Sequence, residues 1–167
     1  MKVPMLDLRA QYAAIKPEID AAVEQVLMSQ QFRGGPMLER FEVGLAEFAQ
    51  VRHALGVSSG TDALYLALKA LPLHPGDEVI TSPFTFFATA SAIVHAGCIP
   101  VFADIEPDTL NLDVSAVEAR ITPRTRAILP VHLFGQCARM DAFADMAKRH
   151  GLMLIEDAAQ ALGATYR

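Results

Sequence analysis

The chain has 167 residues, of which 52% are apolar and 20% are charged, and its net charge is −5. One ordinary globular domain has this length and composition, whereas a disordered chain is less apolar and an electrostatic nucleic-acid binder has a clustered basic face. The start has no apolar stretch long enough for a signal peptide, and the richest apolar run, 88–103, is shorter than a membrane span. Two cysteines are too few for a disulfide framework or a zinc site. We therefore expect a cytoplasmic protein with no metal, membrane or nucleic-acid partner.

The first part of the chain has a helical pattern. Two helices are predicted at about 16–28 and 36–50, joined by a glycine-containing loop at 31–36. Residues 1–53 are therefore interpreted as a helical lead-in, and residues 54–167 as part of a single α/β domain.

From residue 54 onward, short apolar runs alternate with longer helical patterns. Because each run is continuously apolar, it is typical of a parallel strand covered by helices on both faces. The predicted strands are 54–58, 78–81, 100–103, 127–131 and 152–155. The predicted helices are 61–71, 86–96, 113–120 and 139–149. The repeated strand–helix–strand order predicts an α/β fold with a mostly parallel sheet.

Ligands of such sheets bind outside the carboxyl ends of the strands. The residues that directly follow the predicted strands are therefore expected to meet at one edge. These segments are 58–62, 82–87, 104, 132–135 and 156–160.

The first of these segments is small, hydroxylated and glycine-containing, and it opens a helix. Free N–H groups at a helix N-terminus bind phosphate readily, Gly60 would allow close approach, and Thr61 could add a hydroxyl. Simple capping by Ser58, Ser59 or Thr61 is an alternative. Neither a GxGxxG nor a GxxxxGK[ST] pattern is present, which disfavours dinucleotide and P-loop sites.

The same segment also matches the nucleophile elbow G-x-S-x-G of α/β-hydrolases at 56–60. A hydrolase would use Ser58 as its nucleophile and could use His132 as its base. An HGGG-type oxyanion pattern does not precede this segment, and only one strand is predicted up to this point. The hydrolase is kept as the alternative.

Asp157 follows an apolar strand, where a partly buried carboxylate needs a cation or several hydrogen-bond donors. It could face the protonated ring nitrogen of a pyridoxal phosphate cofactor, or it could be a structural aspartate bonded to its own loop. The aromatic residues of segment 84–87 offer a face for the same ring, with core packing as the alternative. Gln160 could donate to a ring oxygen or hold its own loop.

Several longer motifs occur in a consistent order along essentially the whole chain. They are Pro4-Met5-Leu6-Asp7-Leu8, Ser58-Ser59-Gly60-Thr61-Asp62-Ala63-Leu64, 77–86, 100–105, Pro130-Val131-His132-Leu133-Phe134-Gly135-Gln136 and Ile155-Glu156-Asp157-Ala158-Ala159-Gln160. With these motifs the sequence resembles the DegT/StrS family of pyridoxal-phosphate-dependent sugar aminotransferases. The resemblance implies the large domain of the fold type I architecture.

The resemblance also implies roles for individual residues around the cofactor. Gly60 and Thr61, together with Asp62, would form the backbone cradle for the cofactor phosphate. Phe86 would stack on the pyridine ring.

Two further residues would contact the ring, and two would lie towards the substrate. By resemblance, Asp157 would bind the ring nitrogen and Gln160 would lie near the ring hydroxyl. Phe32, in the first loop, and His132 would lie on the substrate side. The family transfers an amino group, usually from glutamate, to a keto-sugar nucleotide in surface polysaccharide or natural-product biosynthesis, and its members work as homodimers.

One departure concerns the lysine that holds the cofactor as a Schiff base and moves a proton. The candidates are Lys2, Lys16, Lys69 and Lys148, and their places in the pattern do not suit this role. In the family this lysine follows the Asp-Ala-Ala-Gln segment by a few tens of residues. The chain is therefore interpreted as an incomplete N-terminal portion that would be inactive alone, and a non-catalytic binding or regulatory module is also an alternative.

Overall fold

The computed structural model describes residues 3–166, so that Lys2 lies outside the described residues. The chain divides into two compact units, Met1–Gly56 and Val57–Arg167. None of the described helices is both long and apolar enough to cross a membrane.

The first unit contains two helices, α1 (Leu8–Ser29) and α2 (Pro36–Phe48). The predicted start of α1 at residue 16 was wrong, because the helix continues through Pro17 to an earlier cap. The Asp7 carboxylate accepts the N–H groups of Arg9 and Ala10 at 3.0 and 3.2 Å, which satisfies two of the free donors at the helix start.

The predicted strand at 54–58 was also wrong, because this segment is irregular. A strand needs a hydrogen-bonded neighbour, and none of the described strands pairs with these residues. The side chain of Leu55 is 82% exposed, and the N–H of Gly56 donates to the Glu42 carboxylate at 2.7 Å instead of to a strand.

The second unit alternates helices and strands as predicted, with small shifts at the boundaries. Its helices are α3 (Gly60–Lys69), α4 (Phe87–His95), α5 (Val114–Glu118) and α6 (Met140–His150). Its strands are β1 (Glu78–Thr81), β2 (Ile99–Phe102), β3 (Thr125–Ile128) and β4 (Met153–Leu154). A single 3-10 turn spans Leu133–Gly135.

The four strands form one sheet in the order β2-β1-β3-β4, and every pair is parallel. This confirms the α/β fold with a parallel sheet. After β2 the chain returns to the other side of β1, so the direction of winding reverses between β1 and β3. Such a reversal opens a crevice at the carboxyl ends of the two strands, where open α/β sheets bind ligands.

Helices cover both faces of the sheet. On one face Val79 packs in a core with Leu68 of α3 and Ile93 of α4. On the other face the next residue of β1, Ile80, packs in a second core with Phe143 of α6. Because neighbouring residues of a strand point to opposite faces, a continuously apolar strand serves both cores.

A buried carboxylate joins β1 to the start of β3 at the amino edge of the sheet. Glu78 is 3% exposed and accepts hydrogen bonds from the hydroxyl of Thr122 and the guanidinium of Arg124. The Thr122 hydroxyl is the largest influence holding the pKa of Glu78 below its ordinary value, Arg124 acts in the same direction, and burial opposes both. This cluster lies at the edge opposite to the crevice.

Candidate active site

A cavity of about 250 Å³ lies at the carboxyl edge of the second unit. It is lined by Gly60, Thr61, Leu64, Phe86, Ala88, Thr89, Asp157 and Ala159. Pockets for drug-sized ligands span roughly 300–1,000 Å³, so this cavity suits a small ligand. Four residues singled out from the sequence, Gly60, Thr61, Phe86 and Asp157, therefore line one cavity.

The N-terminus of α3 forms one wall. Ser59 is the N-cap, and its hydroxyl accepts the N–H of Asp62 at 3.1 Å. No acceptor within the described residues takes the N–H groups of Gly60 and Thr61, which are the first two of the helix. A Cβ built on Gly60 would meet no atom within 4 Å, so open space lies directly above this turn. Free donors beside open space fit a phosphate group.

Asp62 lies in the same turn but does not line this cavity. Its carboxylate accepts hydrogen bonds from the hydroxyls of Ser58 and Ser59. These two hydrogen bonds, that of Ser58 foremost, lower the pKa of Asp62. Asp62 is therefore a charged side chain beside the cradle, and only its backbone N–H belongs to the cradle turn.

Asp157 forms another wall of the cavity. Its backbone extends the pairing of β3 and β4, because Val131 bridges to it and it accepts the N–H of His132 at 2.9 Å. Its side chain is 8% exposed, and its two oxygens accept the hydroxyl of Thr89 and the N–H of Ala159, each at 3.2 Å. A carboxylate held by two donors keeps further lone pairs for a cation in the cavity.

The segment after β1 supplies an aromatic wall. Phe86 is the N-cap residue of α4 and is 74% exposed, so its ring face is available beside the cavity. Phe84 instead packs edge-on against Phe134, with ring centroids 6.4 Å apart. Of the three phenylalanines in this segment, Phe86 is the one that lines the cavity.

The side chain of Gln160 holds a neighbouring loop. Its oxygen accepts the N–H of Phe134 at 3.0 Å, at a residue whose φ is 55°. Left-handed backbone is unfavourable for a phenylalanine, so this hydrogen bond stabilises a strained turn. Gln160 does not line the cavity, and its contact matches the loop-holding alternative.

His132 is buried within the protein, and its substrate-side role stays a prediction. The ring is 2% exposed; Nε2 contacts the Glu156 carboxylate at 2.9 Å, and Nδ1 accepts the N–H of Ala138 at 3.2 Å. Both ring nitrogens therefore have partners in the protein, and the ring does not present a free nitrogen to a ligand.

The remaining predicted residues lie elsewhere. Phe32 belongs to the first unit, where it lines an apolar groove with Val26 and Met37, and its substrate-side role stays a prediction. Among the described residues, no lysine lines the cavity. Lys69 ends α3 roughly 13 Å along the helix axis from its start, and Lys148 lies in the last turn of α6.

Thr89 is the site residue that the sequence analysis missed. It is fully buried in the first turn of α4 and donates to Asp157, which is 68 residues further along the chain. The sequence feature that could have indicated it is a single threonine in the otherwise apolar first turn of a predicted helix, three residues after Phe86.

Residues 13–167 match the family described as the DegT/DnrJ/EryC1/StrS aminotransferase family. The chain belongs to this family. The cavity described above thus lies within the part of the chain that the family covers.

Individual family members are similar along nearly the whole chain. The pleiotropic regulatory protein of Geobacillus stearothermophilus is 52% identical over 99% of this chain and 45% of its own length. The dTDP-3-amino-3,4,6-trideoxy-alpha-D-glucose transaminase of Streptomyces venezuelae is 50% identical over 99% of this chain and 44% of its own. The chain therefore spans less than half of the length of these curated relatives.

A solved structure shows the same fold. The crystal structure of NtdA from Bacillus subtilis, with bound cofactor PMP, superimposes with a TM-score of 0.93 at 40% identity. The match covers 98% of this chain and 38% of NtdA.

The hydrolase alternative is not favoured. The hydroxyl of Ser58 donates to the Asp62 carboxylate rather than to a histidine, and the proposed base His132 is buried with both nitrogens engaged. A nucleophilic serine needs a base within hydrogen-bond reach.

Proposed function

We propose that the protein carrying this chain is an aminotransferase that uses pyridoxal 5'-phosphate. It moves an amino group from glutamate to a keto-sugar nucleotide in surface polysaccharide or natural-product biosynthesis. Glutamate becomes 2-oxoglutarate, and the sugar ketone becomes a primary amine. The observation that carries the proposal is the single cavity lined by Gly60, Thr61, Phe86 and Asp157 in a chain of this family.

The residues present fit such a cofactor. The free N–H groups of Gly60 and Thr61 would donate to its phosphate, helped by the dipole of α3. The exposed ring of Phe86 would cover one face of the pyridine. The carboxylate of Asp157 would accept a hydrogen bond from the protonated ring nitrogen.

When bound, pyridoxal phosphate supplies an electron sink for the carbon that loses its proton. Asp157 would maintain the charge of the ring nitrogen, because an ionised carboxylate stabilises a neighbouring cation most strongly where water is excluded. Phe86 and the α3 cradle would fix the plane and the depth of the ring. The lysine that exchanges the proton in this family follows the Asp-Ala-Ala-Gln segment, here 157–160, by a few tens of residues, as the resemblance implies.

The test is Asp157→Asn in the protein at its natural length, supplied with pyridoxal phosphate and glutamate. The amide keeps the shape but loses the charge, so we expect amino transfer to slow by at least about 100-fold, as for loss of one electrostatic contact to a transition state. Asp104→Asn is the matched control, because Asp104 also follows a strand, but its carboxylate accepts the N–H of Ile105 and does not line the cavity. An unchanged rate in Asp157→Asn, or no uptake of pyridoxal phosphate by the parent protein, would contradict the proposal.

We further propose that the protein is a cytoplasmic homodimer, as the family resemblance implies. Exposed aromatic residues near the cavity support an interface, since Phe84, Phe87 and Phe134 are 44%, 79% and 69% exposed. Light scattering should give twice the mass of one chain. A monomer at micromolar concentration would contradict this part of the proposal.

A further inference from the structure

We propose that Thr89 is a positioning residue for Asp157, and that its hydroxyl aims the carboxylate at the ring nitrogen of the cofactor. The inference rests on the proposed function. The Thr89 hydroxyl contacts the Asp157 carboxylate, and no contact with the ring or the phosphate has been assigned to it.

Thr89 and Asp157 contact each other in a buried environment. Thr89 is completely buried and Asp157 is 8% exposed, so water competes little for the hydrogen bond between them. Rotation of the carboxylate would break this hydrogen bond, and a buried hydrogen bond to a charged group is costly to lose. The hydrogen bond therefore favours one orientation of the carboxylate.

The two hydrogen bonds of the Thr89 hydroxyl have defined directions. The Thr89 hydroxyl also contacts the hydroxyl of Thr85 at 2.9 Å. A threonine hydroxyl has one proton, and an ionised carboxylate can only accept. Thr89 therefore donates to Asp157 and accepts from Thr85. The three side chains form a chain of hydrogen bonds that runs from Thr85 to Asp157.

The backbone of Thr89 contacts a second wall of the cavity. The N–H of Thr89 donates to the carbonyl of Phe86 at 3.1 Å, while its side chain holds Asp157. One buried residue thus connects the aromatic wall with the carboxylate wall of the cavity. A planar ring bound in the cavity would lie beside both walls.

The test compares two ligands that share a phosphate and a six-membered ring. Pyridoxamine 5'-phosphate has a ring nitrogen that Asp157 can hold, whereas benzyl phosphate has none. Both affinities are measured by titration calorimetry in the protein at its natural length. Thr89→Val is close in shape but lacks the hydroxyl, and it retains the backbone contact to Phe86.

We expect Thr89→Val to lower the affinity for pyridoxamine phosphate roughly tenfold, because a hydrogen bond to a charged group is lost. The affinity for benzyl phosphate should change less than about twofold. Thr89→Ser should restore the parent affinity. Thr85→Val should also lower the affinity for pyridoxamine phosphate, but by a smaller factor, because Thr85 contacts Thr89 and not Asp157 itself. If the valine variant does not fold, Thr89→Ala provides the same comparison.

Thr81→Val is the matched control. Thr81 is also fully buried, but its hydroxyl donates to the carbonyl of Leu129 at 2.7 Å and does not contact Asp157. We expect it to lower stability and to leave the ratio of the two affinities unchanged. An equal loss for both ligands in Thr89→Val, or no loss for either, would overturn the positioning role. If the parent protein binds pyridoxamine phosphate no better than benzyl phosphate, the proposed function fails first and the inference fails with it.

Discussion

The imidazole of His132 and the carboxylate of Glu156 are joined by a hydrogen bond of 2.9 Å, although the histidine is 2% exposed and the Glu156 side chain is 55% exposed. Since Nδ1 accepts an N–H from Ala138, the ring proton lies on Nε2 and is donated to Glu156. The ring thus connects the segment after β3 with the residue that precedes Asp157.

His132→Ala should therefore lower the free energy of unfolding by about 2–3 kcal/mol, because buried polar partners lose their hydrogen bonds. Urea unfolding measures the change. His95→Ala, at an exposed position in the last turn of α4, is the control and should stay within about 0.5 kcal/mol. A loss in His132→Ala no larger than that of the control would contradict the structural role of the ring.

The Glu78 cluster predicts a pH dependence of stability. Because the pKa of Glu78 is lowered in the folded protein, its carboxylate contributes stability above its ordinary value of 4.5. This contribution is lost as pH falls through the lower folded value. Glu78→Gln should be less stable than the parent at pH 7, and its stability should change less between pH 5 and pH 3.

Denaturant midpoints across this pH range measure the effect. Glu118→Gln provides the comparison, since the pKa of Glu118 is also lowered, first by its hydrogen bond to Arg149, but the pair is exposed. Solvent screens such a pair, so its effect should be smaller. Equal acid sensitivity of Glu78→Gln and the parent would rule out Glu78 as the source.

Gly60→Ala separates folding from phosphate binding. An added methyl group meets no protein atom and favours helix, so the variant should be as stable as the parent or up to about 1 kcal/mol more stable. The methyl group would fill the space above the cradle, and we expect affinity for pyridoxamine phosphate to fall at least about tenfold.

Gly44→Ala is the matched control, because Gly44 is also helical with open space at its Cβ position, but it lies in α2. Melting temperature and ligand titration distinguish the two effects. If Gly60→Ala binds the ligand as tightly as Gly44→Ala does, the phosphate does not occupy the space above Gly60.

Asp62→Asn tests the charge beside the cradle. Removing a carboxylate one residue from Thr61 should raise the affinity for inorganic phosphate by about two- to fivefold at low salt, and the gain should shrink as salt rises. The carboxylate also interacts favourably with the dipole of α3, so the variant should melt slightly earlier. A gain that does not depend on salt would exclude an electrostatic cause.

The parallel sheet and its two covered faces could be predicted because both depend on local pattern. Val79 and Ile80 are adjacent apolar residues of one strand and pack into separate cores, which is what a continuously apolar run indicates. The segment around Leu55 has the same pattern and is not a strand, because pairing depends on a neighbour that local sequence does not encode.

The site was predictable where it depends on strand ends, and less so where it depends on side-chain packing. Asp157 lines the cavity because it follows β4 at the carboxyl edge of the parallel sheet. Gly60 lines the same cavity as the first residue of α3, although the strand predicted before it is absent. The position of His132 after a strand did not indicate that its ring is buried, or that both of its ring nitrogens have partners in the protein. The contact of Thr89 with Asp157 depends on how α4 sits against the sheet.

The order β2-β1-β3-β4 has a consequence for synthesis on the ribosome. The nascent chain completes β1 and β2 first, but the second neighbour of β1 arrives only with residue 125 and the carboxylate wall only with Asp157. Until then the hydroxyl of Thr89 has no acidic acceptor at 157, and the cavity lacks its carboxylate. Affinity for a phosphorylated ring should therefore emerge only after Asp157 has been synthesised, although α3 and α4 precede it in the chain.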